Sequence, residues 1–148
     1  MEVLFGRPSD IDSWMNLVKK VSWNFPGLET ADRIEEHKPI VMKFINDNRA
    51  LCVKEGNEVV GVLLFSKKYN MICCLAVDPA YRKKRIASEL MEKVLTELDR
   101  SKDITVSTFR EDDIKGIAPR ALYKKYGFVE DELIEEFGYP NQRFILHP

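Results

Sequence analysis

Residues 75–95 read "LAVDPAYRKKRIASELMEKVL", and the middle of this stretch is electrostatically out of place. From Ser88 onward, Leu90, Met91, Val94, Leu95 and Leu98 recur at helical spacing, while Asp78-Pro79 upstream reads as a turn. Arg82, Lys83, Lys84 and Arg85 therefore fall in the first helical turn or in the loop feeding it. A helix N-terminus carries partial positive charge and prefers carboxylates, so cations at that end repel it. They make sense if an anion sits among them, because the same terminus offers backbone N–H groups without intrahelical partners. A pyrophosphate fits, with N–H groups beneath it and Arg and Lys around its rim. Taken alone, the run reads equally as a solvated cationic turn offset by Glu89 and Glu92. Its position favours the anion. It follows the apolar run "MICCLAV", and open α/β sheets bind ligands at the carboxyl ends of their strands.

Working outward, 148 residues suit one domain, 1–148, with a proper core. A net charge of -1 argues against a general nucleic-acid binder, so the basic run is a local device. The start "MEVLFGRPSD" has no signal-peptide pattern and no stretch is apolar enough to span a bilayer; the expectation is a cytoplasmic protein with no membrane association. Cys52, Cys73 and Cys74 are odd in number and lack metal-ligand spacing, so no metal is expected. Cys73 and Cys74 lie inside an apolar run that reads as strand buried on both faces.

"MEVLFG" leans towards strand, and Ile11, Trp14, Leu17, Val18 and Val21 give a helical stripe. "NFPGLET" interrupts, then Thr30 or Asp32 opens a second helix that Pro39 should kink or divide. "RALCVKEG" and "EVVGVLLFSKK" form a hairpin around "EGNE", followed by "MICCLAV" and the helix already described. "DITVSTF" is a strand, "REDDIKG" a charged loop, "APRALYKKY" a short helix stopped by Gly127, and "FVEDELIEEFGYPNQRFILHP" two closing strands. The order is strand, two helices, three strands, helix, strand, helix, two strands. It predicts an α/β (α+β) fold with a mixed, mostly antiparallel sheet of about seven strands and about four helices on both faces.

"LAVDPAYRKKRIASELMEKVL" resembles motif A of the GCN5-related N-acetyltransferases (GNAT), in which Arg or Gln is followed by two residues, Gly, one residue, then Gly or Ala. Arg82 matches the first position and Ala87 the last; Arg85 stands where the family usually has glycine. Ordinary helical dihedrals at Arg85 would still let its N–H point inward. Downstream, "PRALYKKYGFVEDE" is similar to the family's small residue, Leu-Tyr, three residues, Gly-Phe, through Ala121, Leu122, Tyr123, Gly127 and Phe128. Gly116 stands where an asparagine is frequent.

The resemblance implies transfer of an acetyl group from acetyl-CoA to a primary amine by direct attack in a ternary complex. It implies cofactor contacts from Leu75, Ala76 and Val77, through the backbone of a strand that splays from its neighbour. Arg82, Lys83, Lys84, Arg85, Ile86, Ala87 and Ser88 would hold the pyrophosphate. Tyr123 becomes the general acid for the departing thiolate; the other reading is a helix tyrosine packed on the sheet like Tyr126. The base is not legible among Glu29, Asp78, Glu111 and Asp112, and a water chain can take its place. Acceptor contacts would come from Trp23, Phe25, Glu29 and Tyr139, with Phe137 in the apolar wall and Glu135 or Glu136 attracting a cationic amine; strand packing explains the aromatics equally well. His37 and His147 receive no role, and a homodimer is compatible with the sequence. Two competing functions are a non-catalytic acyl-CoA-binding regulatory module and a phosphate-binding adaptor.

Overall fold

The computed structural model describes residues 1–148. Strand β1 (Val3–Phe5) leads through helices α1 (Ile11–Val21) and α2 (Ala31–Asn46) into the meander β2 (Ala50–Glu55), β3 (Glu58–Ser66) and β4 (Met71–Val77). Helix α3 (Ile86–Glu97), strand β5 (Ile104–Phe109), helix α4 (Ile117–Lys125) and the hairpin β6 (Val129–Glu136) and β7 (Tyr139–Leu146) complete the chain. The strands form one sheet in the order β1-β2-β3-β4-β5-β7-β6. Every neighbouring pair is antiparallel except β4 and β5. No helix is long and apolar enough to cross a membrane.

The inner strands read as continuous apolar runs because both faces of the sheet there are covered. Ala50, Cys52, Val62, Leu64 and Ala76 meet Trp14, Leu17, Val18 and Val21 of α1 and Val41 and Ile45 of α2. Leu51, Val53, Leu63, Phe65 and Ile72 meet Ile86, Leu90, Met91 and Val94 of α3 on the opposite face, where Tyr123 of α4 joins Val106 and Phe144. The Thr30 hydroxyl caps α2 by accepting from the Arg33 N–H at 3.2 Å. Helix α2 is not divided at Pro39: it runs unbroken to Asn46, with Pro39 on the solvent side, where water can satisfy the carbonyl that loses its donor.

What positions the site is the poor pairing of β4 with β5. Their ladder has a single register pair, Met71↔Thr105, beyond which the strands part. Asn70 pins the closed end: its Nδ2 donates to the carbonyls of Asp99 and Asp103, each at 2.9 Å, and its Oδ1 accepts from the Asp99 N–H at 2.8 Å. It does so at φ 52°, in the left-handed region that asparagine tolerates better than most residues. The β3–β4 register shifts between Leu64 and Phe65, leaving Cys73 as an extra residue on β4. The sequence predicts a β4 buried on both faces, and the structure corrects this. Cys73 is exposed, and Cys74, Leu75 and Val77 are half-buried along the gap.

Candidate active site

Helix α3 begins beside the open end of β4 because β3 makes room for it. Gly61 pairs with Val77, and a Cβ on Gly61 would lie 2.6 Å from Ile86 Cγ2. Asp78 starts the connection as a cap, accepting from the Ala80 N–H at 3.0 Å and pairing with Lys20 at 3.0 Å. Burial raises the Asp78 pKa, but these two partners outweigh it and hold the carboxyl below its ordinary range. A buried carboxylate so engaged is a structural anchor, which removes Asp78 from the candidate bases.

All four cations precede the helix, in a loop whose backbone turns left-handed at Lys83 (φ 63°) and at Arg85 (φ 63°, ψ 15°). Arg85 does not have helical dihedrals. It is the N-cap in the αL conformation, which explains why glycine suits this position. A left-handed residue followed by the right-handed Ile86 turns successive N–H groups into one concavity, a local anion-binding shape. The first helical bond runs from the Glu89 N–H to the Arg85 carbonyl at 2.9 Å, so the N–H groups of Ile86, Ala87 and Ser88 have no acceptor within the helix. Arg82, Lys83 and Lys84 form no ion pair; the Lys84 Nζ lies 5.1 Å from the Tyr81 ring centroid. Only Arg85 is paired, with Glu92 at 3.3 Å. Three amides without acceptors beside three unpaired cations make an arrangement that can hold an anion of several oxygens.

Tyr123 projects from α4 towards the gap, with its ring packed 5.9 Å from Phe128 and 6.1 Å from Phe144 between centroids. It is buried, and its hydroxyl has no hydrogen-bond partner in the chain. Burial, and then the neighbouring Cys74 thiol, push its pKa well above the ordinary phenol value, so it is fully protonated at neutral pH. Burial likewise pushes the Cys74 thiol up to about 12, which leaves little thiolate for nucleophilic chemistry. Tyr126 is of a different kind: its hydroxyl contacts the Ser88 carbonyl at 3.2 Å and Glu92 at 2.8 Å, fastening α4 to α3.

The remaining predicted residues converge from distant parts of the chain. Trp23 is 61% exposed, and its carbonyl accepts from Lys115 Nζ at 3.4 Å. Phe25 lines a ≈ 20 Å³ apolar cavity with Leu28, His37, Cys74 and Ala76. Glu29 is folded onto its own loop, accepting from the Gly27 N–H at 2.8 Å, which lowers its pKa. The Tyr139 hydroxyl is committed to Asp113 at 2.7 Å, and its ring stands edge-on to Phe109 at 5.6 Å. The structure thus brings Trp23, Phe25 and Tyr139 towards one end of the gap, with the Glu29 carboxylate engaged by its own loop at Gly27, which packs against Phe137.

Sequence reasoning missed Asn70, Arg120 and Asn141. Arg120 is buried and donates to the Phe109 carbonyl (3.0 Å) and to Gln142 Oε1 (2.7 Å), setting α4 and hence Tyr123 on the sheet. Gly116 is closed in: a Cβ there would meet the Arg110 carbonyl, Arg120 Cδ and Phe109 Cβ, each at 3.1 Å. An asparagine at Gly116 does not fit this packing.

Residues 12–128 match the model of the acetyltransferase (GNAT) family. The fold is shared with several solved structures. A GNAT-family acetyltransferase from Bacillus cereus ATCC 10987 is 20% identical with TM-score 0.76, over 97% of this chain and 94% of that one. The PaiA N-acetyltransferase from Thermoplasma acidophilum, in complex with coenzyme A, is 14% identical with TM-score 0.71, over 96% of each chain. YncA from Salmonella typhimurium, solved with acetyl-CoA, is 15% identical with TM-score 0.74, over 98% of this chain and 91% of that one. No curated protein sequence is a significant match. With the family model covering most of its length and the sheet order, the split strand pair and the basic helix start all in place, this chain belongs to the GNAT acetyltransferase family.

Proposed function

We propose that this protein is a single-domain N-acetyltransferase that uses acetyl-CoA to acetylate a primary amine by direct attack in a ternary complex. One observation carries the reading. The unpaired cations and free amides at the start of α3 and the unpartnered Tyr123 hydroxyl lie at the same gap in the sheet. The residues present fit the cosubstrate. Ile86, Ala87 and Ser88 offer amides to a pyrophosphate, with Arg82, Lys83, Lys84 and Arg85 around it. Leu75, Ala76 and Val77 offer backbone groups along the gap to an extended amide-bearing arm, which would act as an extra strand.

Acetyl-CoA, when bound, supplies an activated acyl group whose transfer leaves a thiolate. Tyr123, fully protonated, holds a proton where that thiolate would form. The apolar walls around Tyr123 exclude water, which favours aminolysis over hydrolysis. Trp23, Phe25 and Tyr139 shape the opposite entrance for the amine. The direct test has two parts. Acetyl-CoA should raise the melting temperature, and free CoA should be released only when an amine is supplied. A folded sample that shows no shift at millimolar acetyl-CoA overturns the proposal. A shift without CoA release for any amine favours the regulatory acyl-CoA-binding module.

A further inference from the structure

No helix covers the β5–β7–β6 half of the sheet on the face shared with α1 and α2, which pack on β2, β3 and β4. By register, Phe109, Asn141 and Ile134 lie abreast on this face, and so do Tyr139 and Glu136. Strand β6 carries Glu130, Asp131, Glu132, Glu135 and Glu136, but these carboxylates are not equivalent. Glu130 is paired with Arg120 and Lys124, and Asp131 and Glu132 with Arg143. Glu136 is half-buried and has no cationic partner; its contact is a hydrogen bond from Asn141 Nδ2 to its Oε2 at 3.2 Å.

Asn141 is 5% exposed, and its Oδ1 is buried without any donor. Exchanging the amide's O and N would set oxygen against the Glu136 carboxylate, so the observed orientation is the one charge demands. A buried carbonyl oxygen without a donor loses its hydration and gains nothing for it, and this one stands beside an unpaired carboxylate. Arg110 stands close by but spends its Nε and Nη2 on the Asn141 and Ile134 carbonyls, at 3.1 and 3.0 Å, so Glu136 keeps no cationic partner and the Asn141 Oδ1 no donor. Glu136 is the register partner of Tyr139 on the same face, which places the pair beside the aromatic residues at that end of the sheet.

We infer that Glu136, oriented by Asn141, is the carboxylate that receives the acceptor's ammonium group, so that the protein selects unhindered cationic primary amines. The inference rests on the N-acetyltransferase reading and adds the charge of the acceptor and the residue that reads it. Glu136 binds the ammonium through a charge-assisted hydrogen bond, and one proton passes from the nitrogen to water before the neutral amine attacks the thioester. Asn141 is a positioning residue, holding the carboxylate in place. Glu135, one residue away, belongs to the other face and is exposed, so it lacks this support.

The test compares 1-aminobutane and a lysine-containing peptide with methoxyamine, which is uncharged at neutral pH, in the parent and in Glu136→Gln, Glu136→Asp and Asn141→Ala. Glu136→Gln should lower the ratio of kcat/KM for charged over uncharged amines by tenfold or more, mainly through KM. Glu136→Asp should recover part of that ratio, and Asn141→Ala should lower it less than Glu136→Gln does. The melting-temperature shift caused by acetyl-CoA should persist in all three, which also reports that they are folded. An unchanged ratio in Glu136→Gln, while the parent acetylates amines, overturns this inference and leaves the proposed function standing. A parent that binds acetyl-CoA but acetylates no amine overturns both.

Discussion

The two banks of the β4–β5 gap are built by different means. On the α3 side, the anion-binding groups are backbone amides and contiguous side chains within residues 82–88, fixed by two left-handed residues and by the contact of Gly61 with Ile86. On the hairpin side, each tie joins remote segments: Lys115 to Trp23, Tyr139 to Asp113, and Gly27 to the Phe137 ring, 3.1 Å from a Cβ built there. A backbone-built bank tolerates changes of side chain, whereas one built from side chains changes specificity with each substitution. Under the proposed function, this division would keep cofactor chemistry constant on one bank and leave the acceptor free to vary on the other.

The largest effect expected lies between the banks. Tyr123→Phe removes only the hydroxyl, which has no partner in the chain, and keeps the ring against Phe128 and Phe144. Stability should hold while turnover falls about a hundredfold, about 2.7 kcal/mol of barrier, with acetyl-CoA affinity nearly unchanged. Pre-steady-state rates of CoA release, under conditions where chemistry limits, would check this. A parent-like rate there would make Tyr123 a packing residue and shift the comparison wholly onto the two banks.

Removing charge from the backbone-built bank comes next. Lys83 and Lys84 are exposed and unpaired, so the double change Lys83→Ala, Lys84→Ala should alter stability by less than about 0.5 kcal/mol. It should weaken CoA binding about tenfold, measurable by calorimetry. Equal losses of stability and affinity would show that the loop is held together by these cations and not by its backbone.

Legibility from sequence follows the same division. The basic loop before α3 was readable because its residues are consecutive and cations at a helix start carry their own contradiction. The meander and the helix-bearing connections were readable because their apolar residues keep a phase. "MICCLAV" has no phase, so nothing in it signalled the extra residue at Cys73 that exposes the thiol. The left-handed backbone at Arg85 had one sign in the sequence, the glycine that the related motif carries at that position. Asn141 and Arg120 went unread because a polar residue inside a strand or helix gives no hint of a partner 5 to 22 positions away. Glu29, predicted to meet the acceptor, also accepts a bond from the Gly27 N–H of its own turn, a local tie that its position in a Pro-Gly loop does not announce.

Asp78 tests the hinge between the sheet and the backbone-built bank. Its folded pKa lies below the free value of 3.8, so its contribution is complete above that value and is lost as pH falls through the lower folded one. Asp78→Asn should cost about 1 kcal/mol at neutral pH, as loss of a charged cap does. The gap in melting temperature between parent and variant should then close between about pH 5 and pH 2. Other depressed carboxylates, such as Asp113 and Glu130, act on both chains and cancel in that difference. A gap that stays constant with pH would mean that the cap geometry matters and the charge does not.

The smallest effect separates backbone from side chain within the basic loop itself. At φ 63° and ψ 15°, a non-glycine residue costs about 1–2 kcal/mol, and the Arg85 side chain returns little, since its one ion pair, with Glu92, is exposed. Glycine relieves that strain but adds about 0.5–1 kcal/mol of freedom to the unfolded chain. Arg85→Gly should therefore stabilise the fold by about 0.5 kcal/mol, whereas Arg85→Ala keeps the strain and should be neutral or slightly destabilising. Both variants lose one rim cation, so their CoA affinities should fall together, by less than in the Lys83→Ala, Lys84→Ala double variant. Chemical denaturation of the two variants side by side decides the matter, because they differ only in the backbone freedom at one position. If Arg85→Gly is the less stable of the two, the loop is not strained at Arg85. The left-handed cap would then be held by the preference of the sequence around it, and the α3 bank would owe its shape to side chains after all.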